Sequence, residues 1–263
     1  KLIEEFMLLA NETVAEHFFW LEVPFIYRIH EKPAFEKVEQ LKIFLQSMGM
    51  TLRGSADSVH PRELSSILKS VEGKPSEGVV NTVTLRSMQK AFYGTSCEGH
   101  FGLALKYYCH FTSPIRRYPD LMIHRIIKSV LQDGIDVKKM SHFRGAAEEA
   151  AEQSSAAERK AIEVEREVEK LKKAEYMSYH IGEVYDGIIS GTTSFGIYVQ
   201  LENTVEGMIR IEDLWDDYYD YVPEKYALVG EHTGRMYKLG DSIRIVVDNV
   251  DIDRHEIDFQ LAE

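Results

Sequence analysis

Two adjacent arginines, Arg116 and Arg117, lie where an apolar, β-like run ends and a helical pattern begins. Ser113 and Pro114 precede them, and Pro119 follows just before an apolar-periodic stretch. Ser113 can cap the helix start, and either proline suits a first helical turn because it has no amide proton to donate. A helix N-terminus attracts anions, and the planar guanidinium of Arg116 matches the spacing of phosphate oxygens. The pattern predicts a phosphate-binding turn, although so short a string taken alone is more typical of a solvated surface turn.

Helical and extended elements must position this turn. Apolar periodicity predicts helices over residues 1–20, 34–49, 60–73, 77–94 and 143–177, and a further helix after Pro119. Residues 23–33 and 99–110 are predicted to be extended. Most charges of the 143–177 stretch are typical of a long solvated helix.

From about residue 180 the pattern changes to short alternating runs separated by glycines. Such runs predict a small antiparallel barrel of roughly 80 residues. The expected fold class is therefore α+β with more than one domain, and the boundary lies near residues 180–182. The acidic and aromatic segment 214–226 is interpreted as a loop insertion that packs on neighbouring structure.

The bulk composition narrows the class of protein. With 263 residues, 44% hydrophobic and 28% charged, the chain is long enough for two globular domains and is unlike a disordered one. No apolar run reaches the roughly 18 residues of a membrane span, and no signal-peptide pattern opens the chain. Cys97 and Cys109 form neither a CxxC pair nor a disulfide framework, which indicates the reducing cytoplasm. A net charge of −12 argues against indiscriminate polyanion binding but allows a local basic channel.

The last part of the chain resembles a known RNA-binding module. The strings FGIYV, EGMIRIEDL and IDFQL, spaced over residues 181–262, are similar to those of the S1 domain, a barrel of the OB type. The spacing of Phe195 and Tyr198 is compatible with barrel core as well as with base stacking, which contributes roughly 1–3 kcal/mol per base. The resemblance favours stacking. It also makes Arg210, where S1 domains commonly carry a histidine, and Arg254 candidate phosphate contacts.

Longer strings in the first part resemble the signature of the ribonuclease II/ribonuclease R family, whose catalytic domain is called RNB. They are LIEEFMLLANETVA, RIHEKP, LRSMQKAFY, HFGLAL, HFTSPIRRYPDL and AAERKAIEVERE. Because an S1-like barrel follows directly, the chain is most similar to the ribonuclease R branch. The resemblance implies a largely helical C-terminal portion of an RNB catalytic domain over residues 1–179 and an S1 domain over residues 180–263.

The resemblance also implies an activity. Family members are processive 3′→5′ exoribonucleases that thread single-stranded RNA into a channel and release 5′-mononucleotides, with Mg²⁺ held by clustered aspartates. This chain shows no such cluster, so the aspartate motif is expected upstream of Lys1, and the 263 residues are expected to be inactive alone. A non-catalytic RNA-binding or regulatory relative is the alternative. Single-stranded RNA is the expected partner of a cytoplasmic monomer that makes no membrane contact.

Matching the family strings position by position nominates site residues. Arg116 corresponds to the arginine that holds the phosphate near the scissile bond, with Arg117 and Ser113 as further RNA contacts. Glu5, or Glu4 in the adjacent register, corresponds to a glutamate at the ribose of the terminal nucleotide. A channel glutamate near the active site is matched by the residue at position 165, Glu165.

Three histidines, His100, His110 and His124, lie near the arginine pair in the sequence. Their spacing fits no zinc pattern, so packing or hydrogen-bonding roles are expected and no metal site is predicted in this chain.

Overall fold

The computed structural model describes residues 1–55, 59–74, 76–134 and 136–262, which form two compact units. The first unit contains residues 1–35, 59–62 and 88–162, and the second contains residues 36–55, 63–74, 76–87 and 163–262. The α+β fold class with more than one domain is confirmed. The domain division at residues 179/180 stays a prediction. Each compact unit is assembled from several separate stretches of sequence, and the last change of unit falls between residues 162 and 163.

Helices supply most of the regular structure before residue 178. They are α1 (Leu2–Trp20), α2 (Phe35–Ser47), α3 (Pro61–Val71), α4 (Glu77–Ser87), α5 (Tyr118–Asp133) and α6 (Val137–Met177). The first three agree with the predicted bounds to within two residues. The last begins six residues earlier than predicted, because the Asp136 carboxylate accepts a hydrogen bond from the Lys139 amide at 3.0 Å and caps the helix.

Two sequence predictions about local structure are wrong. The helix predicted to run to residue 94 ends at Ser87, and its last residues form β2 (Phe92–Gly94), which pairs antiparallel with β1 (Tyr27–Ile29). The predicted extended run 99–110 is interrupted by a short 3-10 turn over Phe101–Leu103. Both differences arise from contacts with residues far away in the sequence, which local periodicity does not contain.

The core of the first unit joins α1, the strands, α5 and α6. Phe18 of α1 stacks on Phe25, with ring centroids 5.1 Å apart, and Ile123 and Ile126 of α5 are fully buried beside them. The long helix α6 contributes mainly alanines, including Ala147, Ala150 and Ala151. Because these side chains are small, α6 can pack closely against the rest of the core. This packing holds α5 in place, and with it the turn that leads into α5.

The second unit is built around a closed five-stranded barrel with strand order β10–β5–β4–β3–β9. Its strands are β3 (Val184–Thr193), β4 (Gly196–Leu201), β5 (Glu206–Arg210), β9 (Ser242–Asp251) and β10 (Glu256–Leu261). Neighbouring strands are antiparallel except β5 and β10, which pair in parallel through Met208 and Asp258. The predicted antiparallel barrel is confirmed apart from that pair. Fully buried side chains fill it, among them Ile189, Ile197, Val199, Ile209 and Phe259.

The insertion between β5 and β9 is a three-stranded antiparallel sheet of β6 (Tyr219–Val222), β7 (Ala227–Gly230) and β8 (Met236–Lys238). The interpretation of residues 214–226 as a plain loop is therefore wrong. The expected packing is present, since the Tyr226 ring contacts Phe44 of α2 edge-on with centroids 5.2 Å apart. Trp215 and Tyr218 remain exposed.

In the described part of the chain, none of the helices is both long and apolar enough to cross a bilayer.

Candidate functional site

The arginine pair lies on a turn that the carbonyl of Ser113 closes. This carbonyl accepts hydrogen bonds from the amides of Arg116 at 3.3 Å and Arg117 at 3.1 Å. α5 then begins at Tyr118, with Arg117 in extended conformation as its N-cap and Pro119 in its first turn. The prediction that the Ser113 side chain caps the helix is thus wrong, because the turn places Ser113 four residues before the cap.

A fully buried carboxylate, Asp120, holds this turn from within α5. Its Oδ2 accepts hydrogen bonds from the Ser113 amide at 2.8 Å and from Nε and Nη2 of Arg117 at 3.1 and 2.8 Å. The side chain of Arg117 is only 19% exposed. Two of its donors therefore serve the internal ion pair, and the geometry favours a structural role for Arg117 beside its predicted contact with RNA.

Arg116 differs from its neighbour. It is exposed, and its guanidinium has no hydrogen bond or ion pair with any residue that the structure describes. The adjacent Ile115 is also fully exposed at the tip of the turn. The turn thus presents one unpaired guanidinium at a backbone position that Asp120 and Ser113 fix.

The strand-like segment that enters the turn is fixed by Asn11 of α1. The buried Asn11 side chain accepts a hydrogen bond from the Phe111 amide at 3.0 Å and donates one to the Tyr108 hydroxyl at 3.3 Å. On the other side, His124 of α5 stacks on the Phe111 ring with centroids 4.3 Å apart. The segment that enters the turn is therefore held between α1 and α5 at Phe111.

A second arginine of the first unit, Arg28 of β1, is paired as well. Its guanidinium binds both carboxylate oxygens of Glu158 on α6, at 2.7 and 3.1 Å, and lies over the Tyr93 ring at 4.6 Å. The Tyr93 hydroxyl in turn lies 2.9 Å from Nδ1 of His110, the residue directly before Phe111. Sheet, long helix and arginine turn are connected through this chain of polar contacts.

Burial keeps two histidines of this region, His110 and His100, neutral near pH 7. Burial lowers the pKa of His110 to about 3, helped by the charges of Arg117, Arg28 and Arg116. Burial likewise lowers the pKa of His100 to about 4, with His30 and Arg28 contributing. Near pH 7 the neutral His110 is therefore not an acid, and its Nδ1 shares a hydrogen bond with the Tyr93 hydroxyl.

The net result is an anion-binding arrangement. Of the three arginines, Arg28 is neutralised by Glu158 and Arg117 by Asp120, which leaves the charge of Arg116 without a partner in the described residues. A guanidinium held at a fixed position can bind a phosphodiester through two parallel hydrogen bonds. The same pairing argues against a metal here, because both nearby carboxylates already bind guanidinium groups.

The described residues contain no group of three or more histidine, cysteine, aspartate or glutamate side chains able to hold a metal ion. The carboxylates that lie closest to the arginines do not fit as Mg²⁺ ligands, since Asp120 and Glu158 are engaged.

The predicted glutamates are not part of this cluster. Glu5 and Glu4 lie exposed in the first turn of α1 and make no side-chain contact among the described residues. Glu165 lies in a ten-residue stretch of α6, 161–170, in which every residue is exposed, and it belongs to the second unit. Their assigned roles stay predictions.

Sequence reasoning missed Asn11, Arg28, Asp120 and Glu158. Glu158 occurs in the same family string as Glu165, seven residues earlier. A stripe of small buried residues at Ala147, Ala151 and Ser155 leads to it at helical spacing. The stripe also continues to position 165, so periodicity does not distinguish the two glutamates, and only the contact with β1 does.

The barrel presents the predicted aromatic pair on its outer surface. Phe195 is 74% exposed and Tyr198 38%, while Ile197 and Val199 between and beyond them point inward. Gly196 allows this arrangement, since its φ of 152° and the close Ile209 carbonyl leave no room for a side chain. The alternative that both rings belong to the barrel core is excluded.

The basic residues predicted for the barrel are also exposed. Arg210 lies opposite Gly196 in the β4–β5 pairing, on the same outer face as Tyr198, and contacts the Asp258 carboxylate at 3.4 Å. Arg254 lies in the turn between β9 and β10, 3.7 Å from the Asp251 carboxylate, with its side chain 75% exposed. Tyr198 and Arg210 thus share one outer face of the barrel, and Phe195 is exposed in the turn that leads into β4.

Comparison with protein-family models gives two matches. The model of the RNB domain matches residues 1–133, and the model of the S1 RNA binding domain matches residues 178–261.

Individual proteins match over the whole chain. Ribonuclease R 1 of Lactococcus lactis is 45% identical over 260 residues, which cover 99% of this chain and 32% of that protein. Ribonuclease R of Aquifex aeolicus is 42% identical and is covered to 37% of its length. The chain therefore spans about a third of the length of the curated relatives it matches.

Solved structures also match nearly the whole chain. The RNase R of Mycoplasma genitalium, in its apo form and in complex with ribose-methylated single-stranded RNA, superposes with a TM-score of 0.93 at 31% identity. The alignment covers 99% of this chain and 41% of that one. Yeast Ssd1, described as a pseudonuclease, shares the fold at a TM-score of 0.66 and 21% identity, covering 86% of this chain and 28% of that one.

Proposed function

The chain belongs to the RNB family, and from this premise we propose that it forms part of a processive 3′→5′ exoribonuclease. The substrate is single-stranded RNA and the products are 5′-mononucleotides. The observation that carries the proposal is the arginine turn, on which Asp120 holds Arg117 while the guanidinium of Arg116 is exposed and unpaired among the described residues. A backbone that repeats one negative charge per nucleotide is a fitting ligand for such a group.

Arg116 would bind the phosphate near the scissile bond. In phosphodiester hydrolysis negative charge develops on the phosphoryl oxygens, and a fixed guanidinium stabilises it more strongly in the transition state than in the ground state. His110 stays neutral near pH 7 and contacts the Tyr93 hydroxyl, so it does not act as a general acid. Arg117 and Ser113 support the turn and stand as secondary RNA contacts.

The remaining predicted residues have proposed roles along the RNA path. Phe195 and Tyr198 stack on unpaired bases, and Arg210 and Arg254 bind phosphates of the same strand. Glu5, or Glu4 in the adjacent register, contacts the ribose of the terminal nucleotide, and Glu165 lines the channel. The two aromatic and two basic side chains of the barrel are exposed, which supports the base-stacking and phosphate-binding roles.

Metal dependence belongs to the proposal too. Clustered carboxylates that gather Mg²⁺ are the usual means of activating water for phosphodiester hydrolysis. The carboxylates beside the arginine turn do not fit that task, so we place the metal ligands outside this chain. The 263 residues alone then bind RNA without cleaving it.

We further propose that the protein acts in the cytoplasm as a monomer.

The alternative is a non-catalytic relative that binds RNA through the same surfaces. The yeast pseudonuclease of similar fold shows that the fold by itself does not decide activity. The arginine turn favours the enzyme. A protein that only binds RNA does not need one unpaired guanidinium held at a fixed position by neighbouring paired charges.

A nuclease assay tests the proposal. The complete product of the gene that encodes this chain is incubated with 5′-labelled single-stranded RNA and Mg²⁺, and products are resolved by denaturing electrophoresis and mass spectrometry. The proposal expects 5′-mononucleotides from the 3′ end, blocked by chelation, and no release by the 263-residue chain alone. RNA binding by the complete product with no release under any divalent metal would favour the alternative.

A further inference from the structure

The turn that carries Arg116 depends on one carboxylate inside the protein. Asp120 is completely buried, and a buried charge is costly unless donors surround it. All three hydrogen bonds to it converge on Oδ2, from the Ser113 amide and from Nε and Nη2 of Arg117. Nothing else among the described residues binds it, since Oδ1 has no hydrogen-bond partner there. The carboxylate is therefore dedicated to the turn.

These contacts bracket Arg116 from both sides. Ser113 lies three residues before it and Arg117 directly after it, and both are tied to the same oxygen atom. Asp120 itself is packed in place, because it belongs to the first turn of α5 and the neighbouring Met122 and Ile123 are buried in the core. The backbone at Arg116 is therefore fixed relative to the core of the first unit.

We infer that Asp120 is a positioning residue for Arg116. It binds Arg117 internally and fixes the turn, so that the outward guanidinium meets the scissile phosphate at one place. The two adjacent arginines thus have different tasks, Arg117 holding the turn and Arg116 binding substrate. This inference rests on the proposed function and adds to it a residue that touches no substrate.

A positioning residue and a residue that only stabilises the fold make different predictions. If Asp120 acts through Arg116, its replacement lowers turnover only while Arg116 is present. If Asp120 only stabilises the protein, its replacement lowers the melting temperature and the amount of active enzyme, whatever residue occupies position 116. A double-mutant cycle separates the two cases.

The experiment uses the complete gene product and the variants Asp120→Asn, Arg116→Ala and the double variant. Asparagine keeps the shape and an acceptor for the Ser113 amide but loses the charge that binds Arg117. We expect Asp120→Asn to lower kcat about tenfold to a hundredfold with KM nearly unchanged, the loss expected from a misplaced group. In the Arg116→Ala background the same change should have no further effect on kcat.

A matched control exists within the chain. Asp216 pairs with Arg235 at 2.8 Å in the second unit, where both side chains are more exposed than those of Asp120 and Arg117, so Asp216→Asn removes an aspartate–arginine ion pair that does not involve the turn. Its kinetic constants should equal those of the parent. Arg117→Lys serves as a second variant should Asp120→Asn fail to fold, because lysine keeps the charge opposite Asp120 but loses the two-point contact, and an intermediate loss of kcat is expected.

The outcomes are distinguishable. Parent-like kcat in Asp120→Asn and Arg117→Lys, with Arg116→Ala impaired, overturns the inference and leaves the proposed function standing. Losses that multiply in the double variant also overturn it, because Asp120 then acts independently of Arg116. A parent without nuclease activity, or an Arg116→Ala variant as fast as the parent, instead overturns the proposed function.

Discussion

At the scale of single residues, the two neighbouring arginines are chemically alike but are placed in different surroundings. Arg117 is folded inward onto a buried carboxylate, and Arg116 is exposed without a partner in the described residues. The sequence predicted that the pair marks an anion site, and it identified Arg116. It did not identify Asp120 as the partner of Arg117, because an i,i+3 pair of opposite charge is common on helix surfaces and burial becomes visible only in the folded structure.

Replacing Arg116 by alanine in the complete gene product should lower kcat by about a hundredfold or more, because the lost contact is strongest in the transition state. RNA affinity should fall only modestly, since other contacts along the strand remain. Steady-state kinetics and fluorescence anisotropy with the same labelled RNA measure the two effects. An affinity loss as large as the loss of turnover would identify Arg116 as an ordinary phosphate contact.

Acid sensitivity follows from the buried histidines. His110 and His100 have folded pKa values of about 3 and about 4, below the usual value near 6.5 of an unfolded histidine. As pH falls below about 6.5 the unfolded chain binds protons that the folded chain rejects, so the free energy of unfolding decreases down to about pH 4, by at most about 1.4 kcal/mol per pH unit for each histidine. Above pH 7 this contribution is constant.

The variant His110→Asn tests this dependence, since asparagine offers Tyr93 an acceptor near the position of Nδ1 but does not titrate. Urea unfolding of the 263-residue chain between pH 7 and pH 5 should show a weaker pH dependence in the variant. Equal slopes in variant and parent would mean that His110 titrates normally in the folded protein.

At the scale of elements, α6 and the barrel show what periodicity can and cannot predict. The helical nature of α6 was evident from its composition, and its buried half is the half with closely spaced alanines. The ion pair of Glu158 with Arg28 was not evident, because Glu158 and Glu165 lie on one helical stripe and the pairing depends on the tertiary structure. The inserted sheet was missed because its strands are short and pair with each other across turns.

The outer face of β4 should bind bases. Tyr198→Ala in the 263-residue chain should weaken binding of a single-stranded oligonucleotide by roughly 1–3 kcal/mol, the range for one stacked base. Because Tyr198 is only 38% exposed, urea unfolding of the variant is measured alongside. Tyr218→Ala is the matched control, since Tyr218 is exposed on the acidic insertion of the same barrel and should have no effect. Equal losses in both variants would point to a general effect on the barrel.

At the scale of the whole molecule, the chain combines a net charge of −12 with locally exposed guanidinium groups. The family strings covered nearly the whole sequence and predicted the α+β architecture and the barrel correctly. Charge pairing between distant segments was beyond reach, because Arg28 and Glu158 are 130 positions apart in the sequence and meet only in the folded structure. Local strings predict which elements form, whereas the tertiary structure decides which charges remain free.

The central claim is that the turn carrying Arg116 lies on the path of the RNA 3′ end. Single-stranded RNA with a photoreactive 4-thiouridine near its 3′ end, bound to the complete gene product without divalent metal and irradiated, tests it directly once the crosslinked peptides are mapped by mass spectrometry. We expect crosslinks within residues 107–116, where the exposed Ile115 adjoins Arg116. Crosslinks confined to the barrel peptides around Phe195 and Tyr198, with none at the turn, would contradict it.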